Sequence, residues 1–151
     1  MKKIYLSGDH AGFKIKENLK QWFEKKGFEV NDLGPHFKKD GDDYPDYVIP
    51  MAKAMLKDRS REVKGIIIAG SGMGEAIAIN KLKGIRAAVY HGKNLKIVKT
   101  TREHNDSNVL CMGARFVKEA EMKKAIKAFL ETPFGKGRHK RRLSKFEKLG
   151  S

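Results

Sequence analysis

Short aliphatic runs alternate with segments of helical period from one end of this chain to the other, and few folds accommodate such an alternation. Lys3–Leu6, Phe28–Leu33, Gly65–Ala69, Ile85–Tyr90 and Val109–Met112 read as strands, apolar and mostly followed by glycine or polar residues. Between them lie amphipathic stripes. Phe13, Ile15, Leu19, Trp22 and Phe23 mark a first helix, closed by Gly27. Val48, Met51, Ala52, Met55 and Leu56 mark a second, with Pro50 expected in its first turn, where its missing N–H costs nothing. Met73–Lys81 is a third, Leu95 and Val98 sit in a fourth that ends near His104-Asn105, and Ala120–Leu130 is a fifth. Thr132-Pro133-Phe134-Gly135 breaks the chain, after which Leu143, Phe146 and Leu149 suggest a final basic helix.

Strands that alternate with helices imply right-handed crossovers and an open parallel sheet. The expected fold is α/β: a Rossmann-like three-layer sandwich with a five-stranded parallel sheet, helices on both faces, and a basic C-terminal helix. One domain over 1–151 is expected, since the pattern contains no linker or repeat. No apolar run approaches the roughly 20 residues that span a bilayer. The N-terminal apolar stretch stops at Ser7-Gly8-Asp9-His10, too early for a secretory signal. The lone cysteine, Cys111, excludes an internal disulfide and reads as part of a strand core. A cytoplasmic protein without membrane contact is the expectation.

Charge is distributed unevenly. Residues 1–75 hold 14 Lys/Arg against 12 Asp/Glu, whereas residues 76–151 hold 19 against 6. The densest stretch, Lys136 to Lys148, could meet nucleic acid, anionic lipid or a small phosphorylated ligand, or be a solvated helix face. Its arginines stand apart from the lysines, because a planar guanidinium matches phosphate geometry.

In open parallel sheets ligands gather at the carboxyl ends of the strands, near the point where the strand order reverses. Three segments fall there: Gly8-Asp9-His10, Gly70-Ser71-Gly72-Met73-Gly74-Glu75 and Gly113-Ala114-Arg115. The second is a glycine loop entering a helix. Its free N–H groups suit negative charge, and Glu75 is a carboxylate beside them. Such a pair is what proton abstraction next to a carbonyl requires; Glu75 could equally be a favourable carboxylate in a first helical turn. Asp9 reads either as a helix cap or as a site residue, with His10 beside it. His104 either complements a helix C-terminus or exchanges protons near neutral pH, and Asn105 and Asn108 fit cap and turn positions. No His/Cys/carboxylate spacing resembles a metal site. Neither G-x-x-x-x-G-K-[ST] nor G-x-G-x-x-G is present, so no cofactor is indicated.

Taken together, Ser-Gly-Asp-His-Ala-Gly-Phe (7–13), Asp-Tyr-Pro-Asp (43–46), the 70–75 loop, Asn80-Lys81, Gly-Ile-Arg-Ala-Ala (84–88), Arg-Glu-His-Asn (102–105), Gly-Ala-Arg (113–115), Thr-Pro-Phe (132–134) and Gly-Arg-His-x-Arg-Arg (137–142) resemble ribose-5-phosphate isomerase type B. Galactose-6-phosphate isomerase subunits belong to the same superfamily. The resemblance runs through nearly the whole chain in one order. Many members of that family carry a cysteine base where this chain has Ala69, which cannot take a proton. A second branch lacks the cysteine and uses a glutamate that matches Glu75.

The resemblance implies an aldose–ketose isomerisation through a cis-enediolate. It assigns ring opening to His104 with Asp9, and proton transfer between C2 and C1 to Glu75. Backbone N–H groups of Gly70, Ser71, Gly72, Met73 and Gly74, with the Ser71 hydroxyl, would hold the oxyanion. Asn105 would bind the same end of the sugar and Tyr44 would line the pocket, unless Tyr44 is a core or hinge residue. His10, Arg115, Arg138 and Arg142 match positions that bind phosphate and substrate. The family also implies a homodimer, with a tetramer open, whose site lies between subunits and takes His104, Asn105 and Arg115 from the neighbour. Alternatives are allose 6-phosphate or galactose 6-phosphate as substrate, a non-catalytic partner subunit and, in another class, an anion- or nucleic-acid-binding module.

Overall fold

The computed structural model describes residues 2–151. Five strands, β1 (Lys3–Gly8), β2 (Glu29–Asp32), β3 (Lys64–Ala69), β4 (Ala87–Tyr90) and β5 (Val109–Gly113), form one sheet in the order β2-β1-β3-β5-β4. Every pairing is parallel. The helices are α1 (Phe13–Lys25), α2 (Pro45–Lys57), α3 (Met73–Ile79), α4 (Leu95–Asn105), α5 (Glu119–Glu131) and α6 (Arg138–Ser144), and a 3₁₀ turn (His10–Gly12) leads into α1.

Alternation along the buried strands sorts the core into two layers. Ile4, Leu6, Ile66, Ile68, Leu110 and Met112 point to one face, under Leu19 and Phe23 of α1, Val98 of α4, and Met122, Ile126 and Phe129 of α5. Tyr5, Ile67, Ala69, Val109 and Cys111 point to the other, under Val48, Met51 and Met55 of α2 and Ala76 and Ile79 of α3. The three-layer parallel sandwich expected from the alternation is the fold observed.

Local details differ from the sequence reading. α2 begins at Pro45, so Pro50 lies in its second turn rather than its first. Pro45 takes the helix-opening position, where its fixed φ is favourable, and Pro50 simply deletes one backbone bond. The last helix covers only Arg138–Ser144; Phe146 and Leu149 fall in the turns that follow, folding back so that the Ser151 N–H meets the Lys81 carbonyl at 3.1 Å. Lys16 is wholly buried and pairs with Asp32 at 2.7 Å and Glu17 at 2.8 Å. Asp32 also accepts from the Gly34 N–H (2.9 Å), and the Gly34 carbonyl receives Ser7 Oγ (3.0 Å) and the Gly8 N–H (3.2 Å). That chain of bonds ties the exit of β2 to the exit of β1 and brings the polar loop 38–43 over His10.

Candidate active site

From neighbouring β1 and β3 the chain leaves in opposite directions along the sheet, which opens the crevice between their carboxyl ends. Gly8 pairs with Ile68 there, and a side chain on Gly8 would collide with the Ile68 carbonyl. Asp9 is buried and caps the 3₁₀ turn, accepting from the N–H groups of Ala11 (2.9 Å) and Gly12 (3.3 Å). It is therefore a cap and, at the same time, a carboxylate within the crevice. His10 is half-buried; its Nδ1 donates to Asp42 at 2.7 Å, and the Asp42 side chain is only 2% exposed. This bond lifts the His10 pKa above the ordinary imidazole value, with further help from the charges of Asp42, Asp9 and Asp40.

After β3 the chain turns through Gly72, whose φ of 83° is left-handed and disfavours a side chain, into α3. Ser71 Oγ accepts from the Met73 N–H at 3.2 Å, which leaves the hydroxyl hydrogen free to donate outward. Tyr44 stacks over the loop: a Cβ on Gly74 would fall on its phenol. Arg115 packs its guanidinium against Gly70, where a Cβ would lie 2.8 Å from Nη1.

Glu75, in the first turn of α3, is 3% exposed, and its Oε2 finds no partner among the described residues. Burial raises its pKa above the ordinary 4.5, with the charge of Asp9 adding to the effect. Native Glu75 therefore holds a proton over a pH window in which the unfolded chain has lost it. Stability must fall as pH rises from the ordinary carboxylate value through the raised one. Glu75→Gln removes the buried charge, so its Tm is expected to exceed wild type by about 3 °C at pH 8. The gain should vanish toward pH 4; calorimetry across that range checks it.

Ala69 is fully buried at the end of β3. Cys111, also fully buried, is held as the thiol by its apolar surroundings and then by the charge of Glu75. Among the described residues no group of three His, Cys, Asp or Glu side chains is clustered to hold a metal. No helix among them is long and apolar enough to cross a membrane.

The remaining candidates lie at the opposite edge of the sheet. α4 runs back from the carboxyl end of β4 and delivers His104 and Asn105 ahead of β5, where the Asn108 carbonyl accepts from the Gly65 N–H at 2.8 Å at the start of β3. Five residues of strand, about 16 Å, separate that edge from the Glu75 crevice. The tail joins this second group. The Gly135 N–H donates to the Glu103 carbonyl (2.8 Å), and His139, between Arg138 and Arg142 on α6, stacks on His104 with centroids 4.2 Å apart. A cavity of about 410 Å³ lined by Asn80, Thr101, Asn105 and Phe146 opens at this edge, not at Glu75.

One chain thus brings together Asp9, His10, Tyr44, the glycine loop, Glu75 and Arg115, and separately His104, Asn105, Arg138 and Arg142. Arg115 departs from expectation: read from the sequence as a neighbour's contribution, it sits beside Gly70 of its own chain, because β5 ends next to β3 (Ala69 opposite Gly113). Asn105 is the last residue of α4 and Asp106 the cap, while Asn108 bridges the Arg86 N–H (2.8 Å) and the Gly84 carbonyl (2.8 Å). Two contacts were not legible in sequence: the Asp42–His10 bond and the His104–His139 stack. Each joins residues more than 30 positions apart in loops or helix ends, where no periodicity marks a partner.

A parallel α/β sheet with a glycine loop and a buried carboxylate at its switch point belongs to the class of open α/β proteins that take ligands at the carboxyl ends of their strands. Comparison with known proteins narrows the class. The chain matches the ribose/galactose isomerase family over residues 4–146 and belongs to it. A probable ribose-5-phosphate isomerase B of Mycoplasma genitalium is 37% identical over 142 residues, 94% of this chain and 91% of that protein. A putative sugar phosphate isomerase of Bacillus subtilis is 38% identical, covering 95% of this chain and 93% of its own. Among solved structures, ribose-5-phosphate isomerase B of Mycoplasma genitalium with bound ribulose 5-phosphate superposes with a TM-score of 0.90, at 37% identity and over 97% of this chain and 94% of that one. The Clostridium thermocellum enzyme gives 0.89 at 36% identity, over 97% and 95%.

Proposed function

We propose that this protein interconverts ribose 5-phosphate and ribulose 5-phosphate, with Glu75 as the base. The observation that carries the assignment is the unpartnered carboxylate oxygen of Glu75, buried at the mouth of a glycine loop. Its raised pKa suits a group that must take a proton and return it. The liganded Mycoplasma genitalium relative supports the substrate class.

In this reading Asp9 and His104 open the furanose ring, one accepting the C1 hydroxyl proton while the other donates to the ring oxygen. Glu75 then takes the C2 proton. The resulting cis-enediolate carries its negative charge toward the N–H groups of Gly70–Gly74 and the Ser71 hydroxyl; each such donor is worth roughly 3 kcal/mol in comparable sites. A proton passes from the C2 hydroxyl to O1, and Glu75 returns its own proton to C1 as the C2 carbonyl forms, giving the ketose. Asn105 binds the sugar hydroxyls near C1, Tyr44 walls the pocket, and His10, Arg115, Arg138 and Arg142 hold the phosphate.

The separation of the two residue groups by the length of the sheet favours a site assembled from two copies of the chain. A second copy would carry His104, Asn105, Arg138 and Arg142 to the Glu75 crevice. Met73 and Ile77, exposed one turn apart on α3, give such a pairing an apolar contact. One domain acting as a homodimer, with a tetramer compatible, is the assembly proposed.

The test is turnover of ribose 5-phosphate measured beside allose 6-phosphate, with and without EDTA. The five-carbon substrate is expected to be preferred and chelation to have no effect. A folded protein inactive on both sugars would reject the assignment in favour of another hexose phosphate or a partner subunit.

A further inference from the structure

Loop 38–43 contributes a residue to which nothing above gives a role. Asp42 extends from this solvated loop, yet its side chain is 2% exposed. Its Oδ1 receives two bonds from one residue, the His10 Nδ1–H at 2.7 Å and the His10 backbone N–H at 3.3 Å, while its Oδ2 has no partner among the described residues. Burying a carboxylate with an idle oxygen is costly unless a nearby positive charge compensates. Among the described residues, His10 is the only cation-forming group whose hydrogen bonds and ion pairs reach it. Asp9 and Asp40 add negative charge around His10, and the phenol of Tyr47 faces Asp42, its own ionisation suppressed by burial and then by that carboxylate.

We infer that Asp42 is a positioning residue that fixes the His10 ring by its Nδ1–H and keeps it an imidazolium, so that Nε2–H is presented to the substrate phosphate as a charged donor. The geometry leaves little freedom. A ring held at Nδ1 and at its own backbone N–H by one oxygen atom cannot flip without breaking the 2.7 Å bond. With Nδ1 committed, only Nε2 remains to meet a ligand. The neutral tautomer of such a ring would turn a bare lone pair toward the phosphate and repel it; the imidazolium turns a donor. Loop 38–43 thereby selects for a phosphate monoester at the far end of the sugar. The role in phosphate binding rests on the isomerase reading, whereas the Asp42–His10 coupling does not.

The coupling is tested first without substrate. In wild type, ¹⁵N-resolved NMR of the imidazoles should show His10 titrating above the ordinary imidazole value, with Nδ1 protonated in both of its charge states. In Asp42→Asn, His10 should fall to or below the ordinary imidazole value. Unchanged titration, or wild-type His10 protonated only on Nε2 when neutral, overturns the inference even if Asp42→Asn fails to fold. The consequence is read next with inorganic phosphate as the probe. At a pH between the His10 midpoints measured for the two proteins, the variant should bind it about tenfold more weakly, having lost a charged donor. Below both midpoints, affinity should recover. With ribose 5-phosphate the same pattern should appear in KM, with kcat little changed. A loss equal at both pH values means a merely structural role and rejects the inference. Inactivity of wild type toward the sugar, with the NMR and phosphate results intact, counts against the isomerase assignment alone.

Discussion

Glu75→Gln is expected to lower kcat for ribose 5-phosphate isomerisation by about 10³-fold, within the range that a positioned general base supplies, while KM moves little. Glutamine has nearly the same shape and fits the same pocket in the first turn of α3, but it cannot accept the C2 proton. Retained fold is part of the expectation: removing a buried charge whose second oxygen is unpartnered should stabilise the protein, so lower activity and higher Tm should appear together. Exchange of the C2 proton with solvent deuterium should fall in parallel. Cys111→Ser offers the contrast. The thiol is fully buried and held protonated, so activity should stay within a few-fold of wild type. A Glu75→Gln enzyme with a tenth or more of wild-type kcat would place the base elsewhere.

The second large effect concerns assembly. Glu75→Gln and His104→Ala should each be nearly inactive alone, yet activity should return when the two are mixed, dissociated and reassociated. If each site takes Glu75 from one chain and His104 from another, a mixed pair contains one intact site and one doubly defective site. Random reassociation makes half of the pairs mixed, so recovery should approach about a quarter of wild-type activity. The distance motivates this expectation: His104 lies at the amino edge of the sheet and Glu75 at the carboxyl edge, about five strand residues apart. A site complete within one chain would show no recovery, and that outcome would remove His104 from the reaction. His139, stacked 4.2 Å from His104, is held below the ordinary imidazole pKa by burial and then by His104, Arg138 and Arg142.

Local pattern carried much of this. Five aliphatic runs alternating with amphipathic stripes imply a covered parallel sheet whatever the loops do, since each run can hide its faces only between layers of helix. The end of β3 at Ala69, the glycine turn and the start of α3 at Met73 were legible for the same reason: the change from strand period to helix period is written in consecutive residues. The proposal of Glu75 over a cysteine rests instead on the family resemblance, whose cysteine position is Ala69 in this chain. Boundaries were less legible. Pro50 looked like a helix opener, yet Pro45 already holds that position, and α2 simply tolerates the missing bond.

Tertiary structure decided which residues can meet. That Asp9 faces Glu75 follows from β1 lying beside β3, and that Arg115 reaches Gly70 follows from β5 lying on the other side of β3. Neither is a property of spacing along the chain. The division of the catalytic candidates between two edges depends on the direction in which α4 crosses the sheet. The burial of Asp42 depends on a loop tied down through Lys16, Asp32 and Gly34. Periodicity is a short-range signal, fixed by the 2.0- and 3.6-residue repeats of the backbone, and it therefore determines layers and faces. Contacts between loops arise only once the sheet has ordered its strands, and they alone establish which charges are buried together and which group is left holding a proton.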